Sequence, residues 1–180
     1  MRSADDKEWE WLDNTNKQDI SKVIVVDDFL NDSMINLLSD KFLYQTPHMW
    51  GGFSNTPEDD IFYVTQLDGN DITLSYILNK VESEVIGLNI NLSRVYINVQ
   101  HNNMDGYFHY DDGDITALLM ITPTPSAGGG FEYRDTDGRI KTIEYKKNRL
   151  IVFKDIYHRG RCYKDNKPRI TLAYKLNISK

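Results

Sequence analysis

Apolar residues follow a helical period in two segments of the first half of the chain. They recur every three or four residues, which predicts two amphipathic helices. The first begins at Asn31, Asp32 or Ser33, which are helix-capping residue types, and the second covers 71–87. The apolar positions are Ile35, Leu37, Leu38, Phe42 and Leu43 in the first helix, and Leu74, Ile77, Leu78, Val81, Val85 and Ile86 in the second.

The other apolar runs are short and strand-like. Residues 23–26 and 61–64 predict two strands, the first of them buried. From residue 92 onward no helical period occurs, and short runs alternate with turn residues. Eight strands are predicted there, near 94–100, 106–111, 115–122, 130–134, 139–145, 149–153, 157–163 and 169–177.

Glycine, proline and asparagine mark the connections. Residues 135–138 end in Gly138 and predict a hairpin turn, and 146–148 predict a second turn. The glycines at 128–130 indicate a bend or a close backbone approach. Residues 45–60 are predicted to be mostly loop, in which Trp50 and Phe53 are either a pocket lid or satellite core residues.

Eight short strands at this spacing predict an α+β, mainly β fold. The expected architecture is a double-stranded β-helix, the jelly-roll or cupin-like arrangement, with the N-terminal helices packed on one sheet. Residues 1–20 are polar and acidic and form a predicted N-terminal arm. Residues 21–180 are predicted to be a single domain with its jelly-roll core at about 92–178.

Composition narrows the class of partner. The net charge of −6 disfavours a nucleic-acid backbone as the main partner, although 159–169 is locally basic. A lone cysteine provides neither a disulfide framework nor a thiolate cluster. With no apolar leader or membrane-length run, we expect a cytoplasmic protein that does not enter a membrane. The pattern indicates no particular oligomeric state.

His109 and Asp111 are the most informative residues of the chain. They stand two positions apart near the end of a predicted strand, where both would project from the same face. His158, after the apolar run 150–153, is the candidate third ligand. Two histidines and one carboxylate occupy one face of a metal, as in non-haem Fe(II) oxygenases. The competing interpretation is a surface turn, because 111–114 is itself turn-like.

The motifs around these residues resemble a known family. They stand in order at 106–111 (Gly-Tyr-Phe-His-Tyr-Asp), 115–119, 129–133, 148–153, 157–160 and 168–172. The sequence is similar to the 2-oxoglutarate and Fe(II)-dependent dioxygenases, closest to the prolyl 4-hydroxylase-like branch with its small viral and bacterial members. The resemblance covers roughly 94–177, with a weaker match at 25–30.

The resemblance implies a role for individual residues. His109, Asp111 and His158 would be catalytic and bind Fe(II), and Arg169 would pair with the distal carboxylate of 2-oxoglutarate. A guanidinium suits that task because its planar fork holds a carboxylate through two hydrogen bonds. The implied cofactors are Fe(II), the cosubstrate 2-oxoglutarate and O₂, with ascorbate as a further candidate. The expected products are a hydroxylated substrate, succinate and CO₂.

Two positions depart from the family pattern. Many members carry tyrosines where this chain has Gln100 and Met120, so two hydroxyls that would help to hold 2-oxoglutarate are missing. Gln100 retains an amide donor, and we predict that Gln100 and Thr116 line the cosubstrate pocket.

Other side chains are weaker candidates for the same site. Tyr107 and Trp50 are candidates for the substrate pocket, and Trp50 with the 45–60 loop for its lid. His48 and His101 are less favoured as metal ligands, because His48 lies in the loop rich in proline and glycine and His101 would point to the opposite face from Gln100.

The leading hypothesis is hydroxylation of a residue in a peptide or protein, with proline the first candidate. An alternative is the same chemistry on a nucleobase or small metabolite. Nucleic-acid dealkylases of this superfamily usually carry a second arginine soon after the first, and 170–175 contains none. A non-catalytic jelly-roll binding module is the remaining alternative.

Overall fold

The computed structural model describes residues 23–52 and 62–179. The predicted N-terminal arm (1–20), Phe53 and Ile61 lie outside these residues. Among the described residues, no helix has the length and apolar character that a bilayer crossing requires.

Most strands form one large antiparallel sheet. Its members are β1 (Ile24–Val26), β2 (Met49–Gly52), β3 (Phe62–Gln66), β4 (Ile90–Gln100), β5 (Ile115–Met120), β8 (Leu150–Phe153) and β10 (Arg169–Ile178). In the described part of the chain their order is β1-β8-β5-β10-β4-β3-β2. The centre of the sheet is β10, which pairs with β5 on one side and with β4 on the other.

A second, smaller sheet faces the first. It consists of β6 (Phe131–Arg134), β7 (Ile140–Ile143) and β9 (His158–Gly160), in the order β7-β6-β9. The predicted hairpin turn joins β6 to β7, with Gly138 at a φ of 78°. Two facing antiparallel sheets confirm the predicted mainly β, jelly-roll-like class.

The predicted strand at 106–111 is wrong as a regular strand. The backbone runs beside β9 through bonds from the Gly106 and His109 N–H groups to the Gly160 and His158 carbonyls, each 2.9 Å. Only His109 forms a strand-type bridge, because the chain bends away at 112–114. The segment therefore places side chains beside β9 without the strict alternation of a strand.

Both predicted helices form. Helix α1 (Asp32–Asp40) begins where the Asn31 side chain accepts from the Met34 N–H, and α2 (Ile72–Val81) begins where Asp71 caps Thr73 and Leu74. Each helix continues into a π-helical turn, Lys41–Gln45 and Glu82–Ile86. Leu37 is 60% exposed, contrary to its predicted place on the apolar face. The buried face of α1 is instead defined by residues 35, 38 and 42.

The helices cover the outer face of the large sheet, as predicted. Ile35, Leu38, Phe42, Leu74 and Ile77 share one buried cluster with alternate residues of the strands, among them Ile97, Leu119, Val152 and Leu172. A second buried cluster lies between the two sheets and contains Leu118, Met120, Phe131, Tyr145, Ile151, Phe153, Tyr163 and Ala173. The sheet is thus covered on both faces.

Two short segments differ from prediction. Met49–Gly52 lies in the predicted loop but forms β2, because it pairs with β3. Trp50 stands opposite Tyr63 there, with the ring centroids 5.0 Å apart. Val25 is 38% exposed rather than buried, because β1 is an edge strand whose alternate side chain faces outward.

The turn at 146–149 ties the start of β8 to the segment after β1. Asn148 adopts a φ of 66° there, a conformation that asparagine tolerates better than most residues. Its buried side chain accepts from the Leu30 N–H at 2.9 Å and donates to the Leu30 carbonyl at 2.6 Å. One side chain therefore satisfies both backbone groups of a buried residue.

We expect Asn148→Ala to lower the free energy of unfolding by about 2–4 kcal/mol, since it leaves a buried donor and acceptor unpaired at a positive φ. Urea unfolding measures the change. The matched control is Asn103→Ala, at a φ of 67° but exposed. Asn103→Ala should lower the free energy of unfolding by about 1–2 kcal/mol, because it loses only the preference of asparagine over alanine for a positive φ. Equal losses in the two variants would contradict the role of the Leu30 hydrogen bonds.

Candidate metal centre

Three side chains from two separate segments converge between the sheets. His109 and Asp111 belong to the irregular segment, and His158 is the first residue of β9. Each offers one ligand atom, and the three atoms lie within 4.8 Å of one another. The Asp111 oxygens stand 3.4 Å from His109 Nε2 and 3.5 Å from His158 Nε2. This is the set of two imidazoles and one carboxylate that the sequence predicted.

Backbone pairing sets the distance between the two imidazoles. His109 and His158 exchange two backbone hydrogen bonds, of 2.9 and 3.0 Å, and their rings lie 4.6 Å apart. Two residues directly opposite in this way project their side chains to the same side. The irregular segment therefore aims His109 through this single bridge, and the pair does not depend on a regular strand.

Both histidines present Nε2 toward the centre. His109 Nδ1 lies 2.9 Å from the Tyr107 carbonyl oxygen, and His158 Nδ1 lies 3.0 Å from that of Ile156. A carbonyl oxygen can only accept, so Nδ1 carries a proton in each ring. In the neutral imidazole the lone pair is then on Nε2, the arrangement that a metal-binding imidazole needs.

Aromatic packing keeps His158 in its neutral form. Its ring lies 5.2 Å from Phe131 and 4.6 Å from Phe153, between the two sheets. Burial in these apolar surroundings lowers the pKa of His158 to about 4. Its Nε2 is therefore free of a proton at neutral pH and ready to bind a metal.

Asp111 is held as a carboxylate. Burial alone would raise its pKa, but the positive charge of Lys175 and its hydrogen bond bring the pKa below its usual range. Oδ2 accepts from the Thr116 hydroxyl at 2.8 Å and forms an ion pair with Lys175 Nζ. The carboxylate therefore stays charged although most of it is buried.

Arg169, at the start of β10, is one of the largest fully buried side chains. Its Nε donates to the Gly129 carbonyl at 2.9 Å and its Nη1 donates to Gln100 Oε1 at 2.7 Å. Its Nη2 is buried without a hydrogen-bond partner, as is the hydroxyl of Thr171 two residues further along the strand. Unpaired buried donors of this kind point to a missing anionic partner.

One cavity of about 350 Å³ connects the triad to Arg169. His109, Asp111 and His158 lie in its wall together with Arg169 and Thr171. Further wall positions on β4 and the irregular segment carry mixed polar and aromatic side chains, among them Arg94, Tyr96, Asn98, Tyr110 and Asp112. This volume is within the range of small-molecule sites.

The predicted pocket residues divide into two groups. Gln100 and Thr116 lie in the cavity wall and contact Arg169 and Asp111, respectively. The Tyr107 side chain is exposed and is not among the described wall residues. Its backbone carbonyl accepts from His109 Nδ1 and so orients that ring. Trp50 is 57% exposed and packs on Tyr63 at the edge of the sheet, also outside the described wall.

The remaining candidates lie elsewhere. Met120 is buried between the sheets and is not in the described cavity wall. Of the described histidines, His48 and His101 are not in the candidate metal cluster. The exposed ring of His101 instead packs edge-on against Tyr63, with centroids 5.8 Å apart.

Lys175 and Thr171 are site residues that the sequence argument missed. They share a face of β10 with Arg169, because alternate residues of a strand point to the same side. The two-residue period counted from Arg169 was therefore a signal that could have found both. The partner of Lys175 could not be found in that way, because Asp111 lies on a different segment.

No family model and no curated protein sequence matches the chain. Solved structures do. A viral collagen prolyl hydroxylase from Paramecium Bursaria Chlorella virus-1, in complex with 2-oxoglutarate, superposes with a TM-score of 0.62 at 17% identity, covering 88% of this chain and 96% of that one.

Two further structures match in the same way. A prolyl hydroxylase from Trichoplax adhaerens, bound to a hypoxia inducible factor peptide fragment, gives a TM-score of 0.64 at 14% identity, covering 97% of this chain and 94% of that one. HygX from Streptomyces hygroscopicus, with nickel, 2-oxoglutarate and hygromycin B bound, gives 0.66 at 11% identity, covering 96% and 87%.

These structures are of the kind that the sequence motifs resemble. At such low identity they establish the architecture alone. The chain therefore has the double-stranded β-helix fold of the 2-oxoglutarate and Fe(II)-dependent oxygenases.

Proposed function

We propose that this protein is an Fe(II)- and 2-oxoglutarate-dependent dioxygenase that hydroxylates a residue of a peptide or protein, with proline the first candidate. One observation carries the proposal. A triad of two histidines and one carboxylate shares a cavity with a buried arginine that has an unpaired donor. The resemblance assigns these positions to the metal and the cosubstrate, and the fold is the one on which this chemistry occurs.

The donor set fits Fe(II). His109 and His158 offer imidazole Nε2 atoms and Asp111 offers a carboxylate oxygen, and together they would hold a metal in the wall of a cavity with room for further ligands. Such a facial triad with open positions is typical of non-haem Fe(II) oxygenases. The Tyr107 and Ile156 carbonyls hold the two rings in the required tautomer.

Arg169 and Thr171 fit the distal carboxylate of 2-oxoglutarate. Nη2 and the Thr171 hydroxyl are two buried donors without partners in the same cavity as the triad. Gln100 contributes by holding Nη1, which fixes the plane of the guanidinium. The family's missing tyrosine hydroxyl is thus replaced by an amide that acts on the arginine.

Bound iron and 2-oxoglutarate would supply the oxidation, in which O₂ and 2-oxoglutarate are converted to succinate and CO₂ and one oxygen atom enters the substrate. The chain's own residues bind and orient. Phe131 and Phe153 exclude water on the His158 side of the cavity. On the open side Tyr110, which is 61% exposed, lies at the mouth where a substrate would enter.

The peptide substrate is supported by two of the structural relatives, which are prolyl hydroxylases, one of them crystallised with a peptide. A small polar metabolite is the second candidate, because the HygX structure holds hygromycin B and the cavity here has polar walls that include Arg94, Asn98 and Asp112. We favour the peptide because the sequence motifs are closest to the prolyl hydroxylase branch.

The direct test is to add Fe(II) and 2-oxoglutarate to the protein without oxygen and to record the visible spectrum. We expect a metal-to-ligand charge-transfer band, followed by succinate when O₂ is admitted. A peptide array and a panel of small metabolites, analysed for the gain of one oxygen atom, then identify the substrate class. The absence of both the band and succinate would exclude the enzyme.

We expect His109→Ala to weaken Fe(II) binding by more than about 100-fold. Even the mutation of a residue that only hydrogen-bonds to a metal ligand lowers metal affinity by about 10- to 100-fold. Equilibrium titration with metal gives the affinity. His101→Ala, at an exposed histidine outside the cluster, is the matched control and should bind metal as the unsubstituted protein does. Retained affinity in His109→Ala would refute the ligand assignment.

We expect Arg169→Met to raise the dissociation constant of 2-oxoglutarate by about 100-fold or more, since removing one partner of a buried charge pair costs about 3–5 kcal/mol. Metal affinity should change little. Arg169→Lys should be intermediate, because it keeps the charge and loses the fork.

Calorimetry on the metal-loaded protein measures this binding. Arg139→Met, at an exposed arginine of the β6–β7 hairpin, is the control for the loss of a positive charge. If 2-oxoglutarate binds equally well to folded Arg169→Met, the carboxylate contact is wrong.

A further inference from the structure

Lys175 is a buried cation inside the cavity. It stands on β10 on the same face as Arg169 and Thr171, and only 2% of its surface is exposed. Charged lysines are almost never buried unless they are paired. Its ammonium group contacts Asp111 Oδ2 and donates to the Thr116 hydroxyl at 3.1 Å.

These contacts make the two oxygens of Asp111 unequal. Oδ2 accepts from both Lys175 and Thr116. Each oxygen lies near one imidazole, Oδ1 at 3.4 Å from His109 Nε2 and Oδ2 at 3.5 Å from His158 Nε2, so the donors on Oδ2 are what distinguish them. A carboxylate oxygen with two donors already bound, one of them charged, is a poor metal ligand compared with its neighbour. The surroundings therefore select one oxygen of this carboxylate for a metal.

Charge gives Lys175 a second effect. With Arg169 and Lys175 both charged, a divalent metal and the Asp111 carboxylate leave the site with three net positive charges, and a dicarboxylate cosubstrate reduces them to one. In a cavity shielded from water such a charge is weakly screened. Arg169 is committed to the other end of the cosubstrate, so Lys175 is the cation placed beside the metal ligands.

We propose that Lys175 is a positioning residue of this metal site. By occupying Oδ2 of Asp111 it leaves Oδ1 as the single oxygen for the metal, keeps a coordination position open for 2-oxoglutarate, and adds a positive charge that attracts the anionic cosubstrate. This inference rests on the proposed function. It assigns to Lys175 an effect on cosubstrate binding that is separate from metal binding.

The test compares Lys175→Met with the unsubstituted protein, using Co(II) as a redox-stable metal with visible absorption bands. We expect Co(II) to bind with an affinity within about threefold, because the three ligands remain. The dissociation constant of 2-oxoglutarate for the Co(II)-loaded protein should rise at least about tenfold, because the cavity loses a weakly screened positive charge and Oδ2 can compete for the coordination position. The Co(II) spectrum should change as Oδ2 becomes free to join the metal.

Lys175→Arg should restore both the spectrum and 2-oxoglutarate binding, because it keeps the cation and its donors. Lys141→Met, at an exposed lysine of β7, should behave as the unsubstituted protein. If Lys175→Met does not fold, Lys175→Gln, which retains a donor without the charge, is expected to show the same loss of 2-oxoglutarate binding with Co(II) retained.

Two results would overturn the inference. One is a folded, Co(II)-loaded Lys175→Met that binds 2-oxoglutarate normally and has an unchanged spectrum. The other is a parallel loss of Co(II) and 2-oxoglutarate binding in step with the folded fraction, which a purely structural ion pair would produce. Failure of the unsubstituted protein to bind Co(II) or 2-oxoglutarate would instead refute the proposed function itself.

Discussion

Strand β10 lies between two buried layers, and its two-residue period separates packing from chemistry. Ile170, Leu172, Tyr174 and Leu176 point toward the helices and join the larger apolar cluster. Arg169, Thr171, Ala173 and Lys175 point into the cavity between the sheets. Because β10 pairs with a strand on each side, neither set can shift without breaking the ladders. A slip of one residue would bury the charges among the helices and expose the core to the cavity.

The site contains two buried cations on β10, Arg169 and Lys175, and the protein neutralises their charges in different ways. Burying a charge without a partner is expensive, so each cation indicates where negative charge must be. Lys175 has its anion within the chain, in Asp111. Among the described residues, the hydrogen-bond partners of Arg169 are a carbonyl and an amide oxygen, and one of its nitrogens has none. Lys175 therefore belongs to a permanent ion pair within the protein, whereas Arg169 is suited to bind an anion from solution.

Much of the architecture was predictable from local pattern. Asn31 and Asp71 cap the two helices that the apolar period indicated, and Gly138 supplies the positive φ of the predicted hairpin. The three candidate ligands converge because a backbone bridge sets His109 opposite His158, although the two are far apart in sequence. Their convergence followed from the resemblance more than from strand periodicity, since His109 and Asp111 do not lie on a regular strand.

The failures of the sequence argument share a cause. Nearby glycine and proline residues predict a loop at Trp50. The residue lies in a strand instead, because it pairs with Tyr63 on β3, which is beyond the predicted loop. Leu37 was assigned to the core by hydrophobicity, although the neighbouring sheet determines which face of α1 is covered. Lys175 was overlooked because Asp111 is distant in sequence. The environment of each of these three residues depends on contacts with segments distant in the sequence, and the local sequence pattern does not predict such contacts.

Gly160 shows how the backbone limits what the cavity accepts. A β-carbon at this position would stand 3.1 Å from Arg169 Nη1 and from Gln100 Oε1, so the guanidinium packs directly on the main chain. Gly160 follows His158 by two residues on β9, a rise of about 6.6–6.8 Å. The distance between the metal ligand His158 and the backbone that contacts Arg169 is thus set by a single strand, and loop movement does not change it. Any discrimination among dicarboxylic acids by chain length would arise from this rigid spacing.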